Sequence, residues 1–290
     1  LQWMDTLVTL AVPPKSLTMD EAKEQTKNFP NTHLFEKEEE MLKTFLDLIE
    51  DADILSGWNS EGYDIPYTIN RVSRVLSKDD TRRFCLWQQL PKKREYEKYG
   101  RKLETYDLVG RVHLDSLELY RKYTYSETHS YRLDAIGETE IGEKKTVYEG
   151  TLDELYKNDF KKFIEYNRQD VALLDKLDKK LKFIDLSNEL AHANTVLLQT
   201  TMGAVAVTEQ AIINEAHGRG LQVPNRVKHD RETATAAGAY VAFPKKGLHK
   251  WIGSMDLNSL YPSVIRLSLI HISEPTRPRL LSYAVFCLKK

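Results

Sequence analysis

Between residues 37 and 51, Met41, Leu42, Phe45, Leu48 and Ile49 fall at the spacing of one helix face, and charged side chains fill most of the other positions. This predicts an amphipathic helix over Lys37–Asp51. Upstream, the apolar stretch in Thr6–Val12 is stopped by Pro13 and Pro14 and reads as a strand. Ile54, Leu55 and Trp58 give a second short buried strand, ending near Gly57. A further helix is expected from Pro66 onward through Ile69, Val72, Val75 and Leu76, because proline is tolerated in a first turn, where its missing N–H has no partner to lose. Strands alternating with helices point to an α/β domain. Arg82–Val112 breaks the pattern: Lys and Arg are mixed with Phe84, Leu86, Trp87, Tyr96, Tyr99 and Tyr106, and Lys98-Tyr-Gly-Arg101 supplies a turn. It reads as a β-hairpin, by default a solvated one.

Helices are next expected at Leu114–Tyr125 and Phe160–Leu186, with a charged, Gly-punctuated loop or hairpin, Gly137–Gly150, between them. Leu190–His217 is a second helical zone rich in Ala, Val and Thr, and Gly218–Ala237 is loop-like. Ala239–Val241 and Trp251–Leu257 are β-like. A change of composition near Leu186 marks a candidate domain boundary, and no repeat of solenoid period is present.

Composition narrows the class without naming a partner. The 290 residues carry 42 Lys+Arg against 43 Asp+Glu, with 41% hydrophobic and 29% charged residues, which excludes disordered, collagen-like and coiled-coil descriptions. The length favours two domains. No apolar run is long enough to span a bilayer, the longest being Leu280–Leu288 with Ser282 inside it. Cys85 and Cys287 are too few for a disulfide framework or a zinc site and fit a reducing cytosol. The pI near 6.8 lacks the basic footprint of a nucleic-acid binder. With no initiator Met and no basic leader before Leu1, the chain reads as the middle of a longer polypeptide. After Arg266 the segment LSLIHISEPTRPRLLSYAVFCLKK resembles translated adapter read-through rather than the strand and helix of a next domain, and it carries no functional weight.

Three segments could carry chemistry. In Gly57–Tyr67 a strand runs into a Gly-containing turn that places Asn59 and Asp64 at the strand's carboxyl end, where open α/β sheets hold ligands. Asp and Asn are also ordinary turn and cap residues. In Tyr166-Asn-Arg-Gln-Asp170 a phenol and a carboxylate four residues apart share a helix face, a pairing suited to a cation and an oriented water; a pairing of Asp170 with Arg168 or a lysine, and a half-buried Tyr166, are the plain alternatives. In Trp251–Arg266 a hydrophobic strand ends at Asp256, and Ser259, Leu260 and Tyr261 lead into a helix through Pro262, an arrangement that offers a hard cation a carboxylate beside substrate phosphates. Asp115 and Asp134 look like helix N-caps, Gly218-Arg-Gly220 like a turn, and His192, His217 and His249 like isolated histidines.

Asp256-Leu-Asn-Ser-Leu-Tyr-Pro-Ser resembles motif A of the family B DNA polymerases almost letter for letter. Asn59–Asp64 resembles that family's second exonuclease motif and Tyr166–Asp170 its third, in the correct order. Leu114–Tyr120, Ser130–Asp134 and Ala237–Val241 are similar to further family segments, in the manner of the polymerases of large tailed phages. The likeness covers Leu1–Arg266. It implies a mixed α/β chain: an RNase H-like 3′→5′ exonuclease domain over 1–186 lacking its first motif, a helical connecting segment over 187–236, the start of a polymerase palm over 237–267, and a non-native tail over 268–290.

By the same resemblance, Asp64 and Asp170 would ligate metal, Tyr166 would position the attacking water or the scissile phosphate, and Asn59 would touch the substrate strand. The first exonuclease motif, Asp-x-Glu, is not visible; Asp5-Thr6-Leu7 stands nearest by position and lacks the Glu. On the polymerase side Asp256 would ligate both catalytic metals with help from the Leu257 carbonyl. Ser259 and Leu260 would donate N–H groups to the triphosphate, and Tyr261 would exclude a 2′-OH. The Arg82–Val112 hairpin would help pass a frayed primer to the exonuclease, and Gly238 and Tyr240 would lie in a loop tracking DNA between the sites. The implied cofactors are two Mg²⁺ or Mn²⁺ ions per site. The implied partners are primer–template DNA, a single-stranded 3′ end, dNTPs and a sliding clamp, with no membrane, in the cytoplasm of a bacterial host if the chain is phage-encoded. The second catalytic aspartate and the fingers lysine are absent, so the piece by itself is expected to be inactive. A stand-alone exonuclease is disfavoured by Asp256–Tyr261, and a decayed DNA-binding relative by the retained Asp64, Tyr166, Asp170 and Asp256.

Overall fold

The computed structural model describes residues 1–98, 100–125, 128–142, 150–225 and 240–268. They fall into two compact units, Leu1–Asn225 and Arg226–Lys290. In chain order the first unit contains β1 (Gln2–Trp3), β2 (Thr6–Leu7), β3 (Thr9–Ala11), α1 (Met19–Thr26), β4 (Thr32–Leu34), α2 (Glu38–Ile49), β5 (Ile54–Gly57) and α3 (Asp64–Val75). After a 3₁₀ turn at Asp79–Phe84 come β6 (Lys92–Lys98), β7 (Arg101–Asp107), β8 (Val112–Asp115) and α4 (Ser116–Tyr123). The helices α5 (Leu133–Ile141), α6 (Leu152–Asn158), α7 (Phe160–Leu181), α8 (Phe183–Asn194) and α9 (Ala204–Gly218) complete it, with a second 3₁₀ turn at Leu198–Met202. This is the mixed helix and strand class that the periodicity predicts.

Among the described residues every ladder is two-stranded. β3 pairs with β4, and β5 with β8, in parallel; β1 pairs with β2, and β6 with β7, antiparallel. The β6–β7 ladder runs from Lys92↔Asp107 to Lys98↔Arg101, with Gly100 at φ +69° in the turn. The hairpin is therefore present but shorter than expected, because the 3₁₀ turn upstream buries Phe84 and Cys85 in the core. Cys85 is a free thiol, pushed up in pKa by burial; Cys287 lies outside the described residues.

Three apolar clusters hold the unit together. The first joins α2 and α3 through Leu42, Leu46, Ile49, Ile69 and Val72, capped by Phe84 and Leu108. The α2 stripe is centred on Leu42, Leu46 and Ile49, so Leu48, expected inside, is 48% exposed. The second cluster packs Ala11 and Ala22 against Phe160 and Ile164 of α7. The third gathers Tyr120, Ile136, Leu173 and Leu177, with Trp58 and Phe183 packed on it. Residues 187–225 pack with this unit through α8, the second 3₁₀ turn and α9.

Several expectations need correction. Val112–Asp115 forms β8, where the sequence reading had a hairpin end and a helix start. The expected helix Phe160–Leu186 is two, because Lys182 adopts φ 53° and caps α7. Gly137–Ile141 is helical, and the loop expected there does not begin before Gly142, whose φ of +79° ends α5. Asp134 lies in the first turn of α5 behind Arg132, and does not cap it. In the second unit α10 (Leu260–Ser268) forms as expected, but Tyr240–Val241 and Trp251–Leu257 are not strands. A strand exists by pairing, and no ladder among the described residues includes these segments; Trp251 is 100% and Met255 97% exposed. Gly238, Ala239 and the tail from Leu269 lie outside the described residues. No helix among the described residues is long and apolar enough to cross a membrane.

Candidate active site

The parallel register of β5 on β8 sets Gly57 opposite Asp115, so the chain leaves β5 beside the N-terminus of α4. It turns at Trp58–Tyr63 and enters α3 at Asp64, two residues earlier than Pro66 predicts. The turn is tight. A Cβ on Gly57 would lie 2.8 Å from that of Ser60, and Asn59 takes φ +58°, a left-handed conformation that costs a non-glycine residue roughly 1–2 kcal/mol. Hydrogen bonds offset this cost. Asp115 Oδ1 accepts from Asn59 N–H at 3.0 Å, and Oδ2 accepts from Glu61 N–H at 2.9 Å. Thr105 Oγ1 donates to the Glu61 carbonyl at 2.9 Å, and Ser60 Oγ lies 2.8 Å from His113 Nε2. Within the turn Gly62 and Tyr63 N–H donate to the Asn59 carbonyl, and Ile65 N–H donates to that of Ser60 at 2.9 Å.

Asp64 thus opens α3, where the helix dipole favours a carboxylate. Much of the residue stays open to solvent, and partial desolvation of the carboxyl group still pushes its pKa up. Tyr166 and Asp170 come from the middle of α7, half-buried, one turn apart. α7 contributes Leu173 and Leu177 to the third apolar cluster, on which Trp58 of the turn packs, its ring 6.1 Å from that of Tyr120 and its indole N–H donating to the Tyr131 carbonyl at 3.1 Å. The result is one cleft of about 2160 Å³ whose walls include Asn59, Asp64, Tyr166 and Asp170. Arg168, between the two α7 residues, donates to Thr9 Oγ1 at 2.8 Å and to the Pro30 carbonyl at 3.0 Å. Asp134, Asp175 and Asp178 also line the cleft; burial, then Asp185 and Asp175, push the Asp178 pKa up.

The remaining expected residues lie in the second unit. Asp256 is exposed in irregular backbone with Leu257, Ser259 takes φ +52°, and Leu260 and Tyr261 begin α10, whose entry is closed by Ser263 N–H donating to the Ser259 carbonyl at 2.9 Å. Tyr240 is exposed.

The structure places Asn59, Asp64, Tyr166 and Asp170 on the walls of one cleft. It adds Asp115 and His113, of which the sequence reading had only Asp115, and that as a helix cap. Asp115 does cap α4, accepting from Leu117 N–H at 2.9 Å.

A family model for the family B DNA polymerase exonuclease domain matches residues 6–136, and one for family B DNA polymerases matches residues 194–270. The chain belongs to the family B DNA polymerases. Among relatives of this polymerase-family chain, the DNA-directed DNA polymerase of Enterobacteria phage T4 is 32% identical over 234 residues, covering 80% of the chain and 26% of that protein. The corresponding enzyme of Escherichia phage RB69 is 30% identical with the same coverage. The DNA polymerase of Pyrococcus glycovorans is 25% identical over 254 residues, 82% of the chain and 31% of the relative. The chain spans about a quarter of the length of its phage relatives.

Exonuclease domains of this family are metal-dependent, and the family implies a DNA substrate. The donor set suits a hard cation in kind: the expected carboxylates Asp64 and Asp170 line one cleft with further acidic residues, and a cation beside Asp64 would favour its ionised form against the desolvation that raises its pKa. Among the described residues no three His, Cys, Asp or Glu side chains are gathered closely enough to hold a metal by themselves. Asp64 and Asp170 would supply two of the ligands, alongside water and substrate phosphate.

Proposed function

We propose that this chain contributes to a replicative DNA-dependent DNA polymerase with 3′→5′ proofreading, and that Asn59, Asp64, Tyr166 and Asp170 belong to its exonuclease site. The observation that carries the reading is that two motifs more than a hundred residues apart, on α3 and α7, open into one cleft. Two Mg²⁺ or Mn²⁺ ions, when bound, would supply an activated water and stabilise the leaving 3′ oxygen. Asp64 holds its carboxylate at the mouth of α3, Asp170 presents a second from α7, and the Tyr166 hydroxyl, one turn away, orients the attacking water or the phosphate. Asn59, exposed on its strained turn, contacts the single-stranded 3′ end.

On the polymerase side, Asp256 is the metal-binding carboxylate, with the Leu257 carbonyl beside it. Ser259 and Leu260 offer N–H groups to the triphosphate of a dNTP, and the Tyr261 ring excludes a 2′-OH. Residues 1–186 form the exonuclease domain, 187–236 connect, and 237–267 begin the palm. Gly238 and Tyr240 track primer–template DNA, a sliding clamp supplies processivity, and the protein acts in the cytoplasm of the bacterial host.

In the full-length polymerase, Asp64→Ala should abolish digestion of a 5′-labelled single strand and leave primer extension intact. Asp256→Ala should do the reverse. Loss of both activities from either substitution contradicts the assignment to separate sites.

A further inference from the structure

We propose that β8 is the positioning element of the exonuclease site, with Asp115 as the residue that fixes the Asn59–Glu61 turn and, through it, the carboxylate of Asp64. Its catalytic consequence rests on the exonuclease reading; the geometry does not.

Asp115 is 5% exposed, and no Lys or Arg among the described residues pairs with it. Its carboxylate is satisfied by three backbone N–H groups. One of them, Leu117, is all that a helix cap requires. The other two, Asn59 and Glu61, belong to a turn 56 and 54 residues earlier in the chain. A buried carboxylate facing only backbone donors is costly unless every acceptor position is used. Here the surplus acceptors hold the turn that delivers the Asp64 carboxylate to the cleft.

The same strand supplies a second strut. His113 and Asp115 are two residues apart and so lie on one face of β8. His113 meets Ser60, and Asp115 meets the residues on either side of it. From this clamped turn the Ser60 carbonyl accepts from Ile65 N–H, which ties the first turn of α3, next to Asp64, back to the clamp. Asp115 is not among the cleft-lining residues. It acts through the turn, as a positioning residue.

Asp115→Ser separates the two duties: the serine hydroxyl can still cap α4 at Leu117, but it cannot reach both Asn59 and Glu61. In the 290-residue chain, amide exchange read by NMR should accelerate at least about ten-fold at Asn59, Glu61 and Ile65, with Leu117 unchanged. Mn²⁺ alone should bind several-fold more weakly than to wild type, approaching Asp64→Ala. In the full-length polymerase, kcat for single-strand digestion should fall about ten-fold with KM and primer extension unchanged. Unaltered protection of the turn amides, or parallel loss at Leu117 and throughout the chain, overturns the proposal. Equal Mn²⁺ binding by wild type and Asp64→Ala would defeat the metal-site reading instead, and the exchange data would still decide the role of Asp115.

Discussion

Lowering the pH from 7 to 5 should destabilise the Leu1–Asn225 unit through His113, and His113→Gln should remove that part of the loss. His113 lies mostly buried on β8 with Ser60 against its Nε2, and burial pulls its pKa down from 6.5 to about 4. In the unfolded chain the imidazole titrates at its ordinary value. Between those two values the unfolded state holds more protons than the folded one, so stability falls as the pH drops through the window. The contribution is complete above about pH 6.5 and exhausted below about pH 4. Linkage between the two pKa values gives roughly 2 kcal/mol lost by pH 5, and about 3 kcal/mol once both states are protonated. Asp64, Asp115 and Asp178 act in the opposite sense: burial raises their pKa values, so the folded state protonates first and gains stability as the pH falls. These carboxylates are common to both proteins and cancel in the difference. Urea unfolding of wild type and His113→Gln at the two pH values, with amide exchange at Leu55 and Leu114 as a local probe, measures it. Parallel losses in the two proteins would refute the reasoning.

Two further substitutions test the core. Arg111 is 2% exposed, and its Nη2 donates to the Glu50 carbonyl at the end of α2 at 2.6 Å. Arg111→Ala should cost about 3–5 kcal/mol through the lost bond and the void, and Arg111→Met, which refills the volume without a charge, about 1–2 kcal/mol; equal thermal stability of Ala and wild type would contradict this. On α2, Leu46→Ala should cost about 2–5 kcal/mol and Leu48→Ala less than about 0.5 kcal/mol, and the reverse order would show that the helix phase is misassigned.

What could be read from the residues follows the range of the interactions. α2 was legible because Leu42 and Ile49 carry its periodicity, β5 was legible in position though not as the buried strand expected, Ile54 being 36% exposed, and the cleft residues were legible because Asn59–Asp64 and Tyr166–Asp170 are ordered motifs. β8 was not: Val112-His113-Leu114-Asp115 alternates over only four residues, too few to separate it from the helix that follows, and only pairing with β5 makes them a strand. The break at Lys182 was hidden because lysine is a good helix former, and nothing in its own side chain marks the left-handed turn between α7 and α8. The clamp of Asp115 was half visible. Its local bond to Leu117 reads as a cap, whereas its bonds to Asn59 and Glu61 leave no local trace. Trp251–Leu257 shows the converse, an apolar run whose strand propensity is unmet without a partner.

The clamp also fixes an order of assembly. Chains are made from the N-terminus, so the Asn59–Glu61 turn emerges while its acceptor, Asp115, is still 54 to 56 residues short of synthesis. Until that long loop closes Asn59 has only the bonds within its own turn to hold its left-handed backbone, and its N–H gains the Asp115 acceptor once β5 and β8 pair. The Asp64 carboxylate thus settles on the cleft wall as a late event of folding, after the non-local sheet has formed.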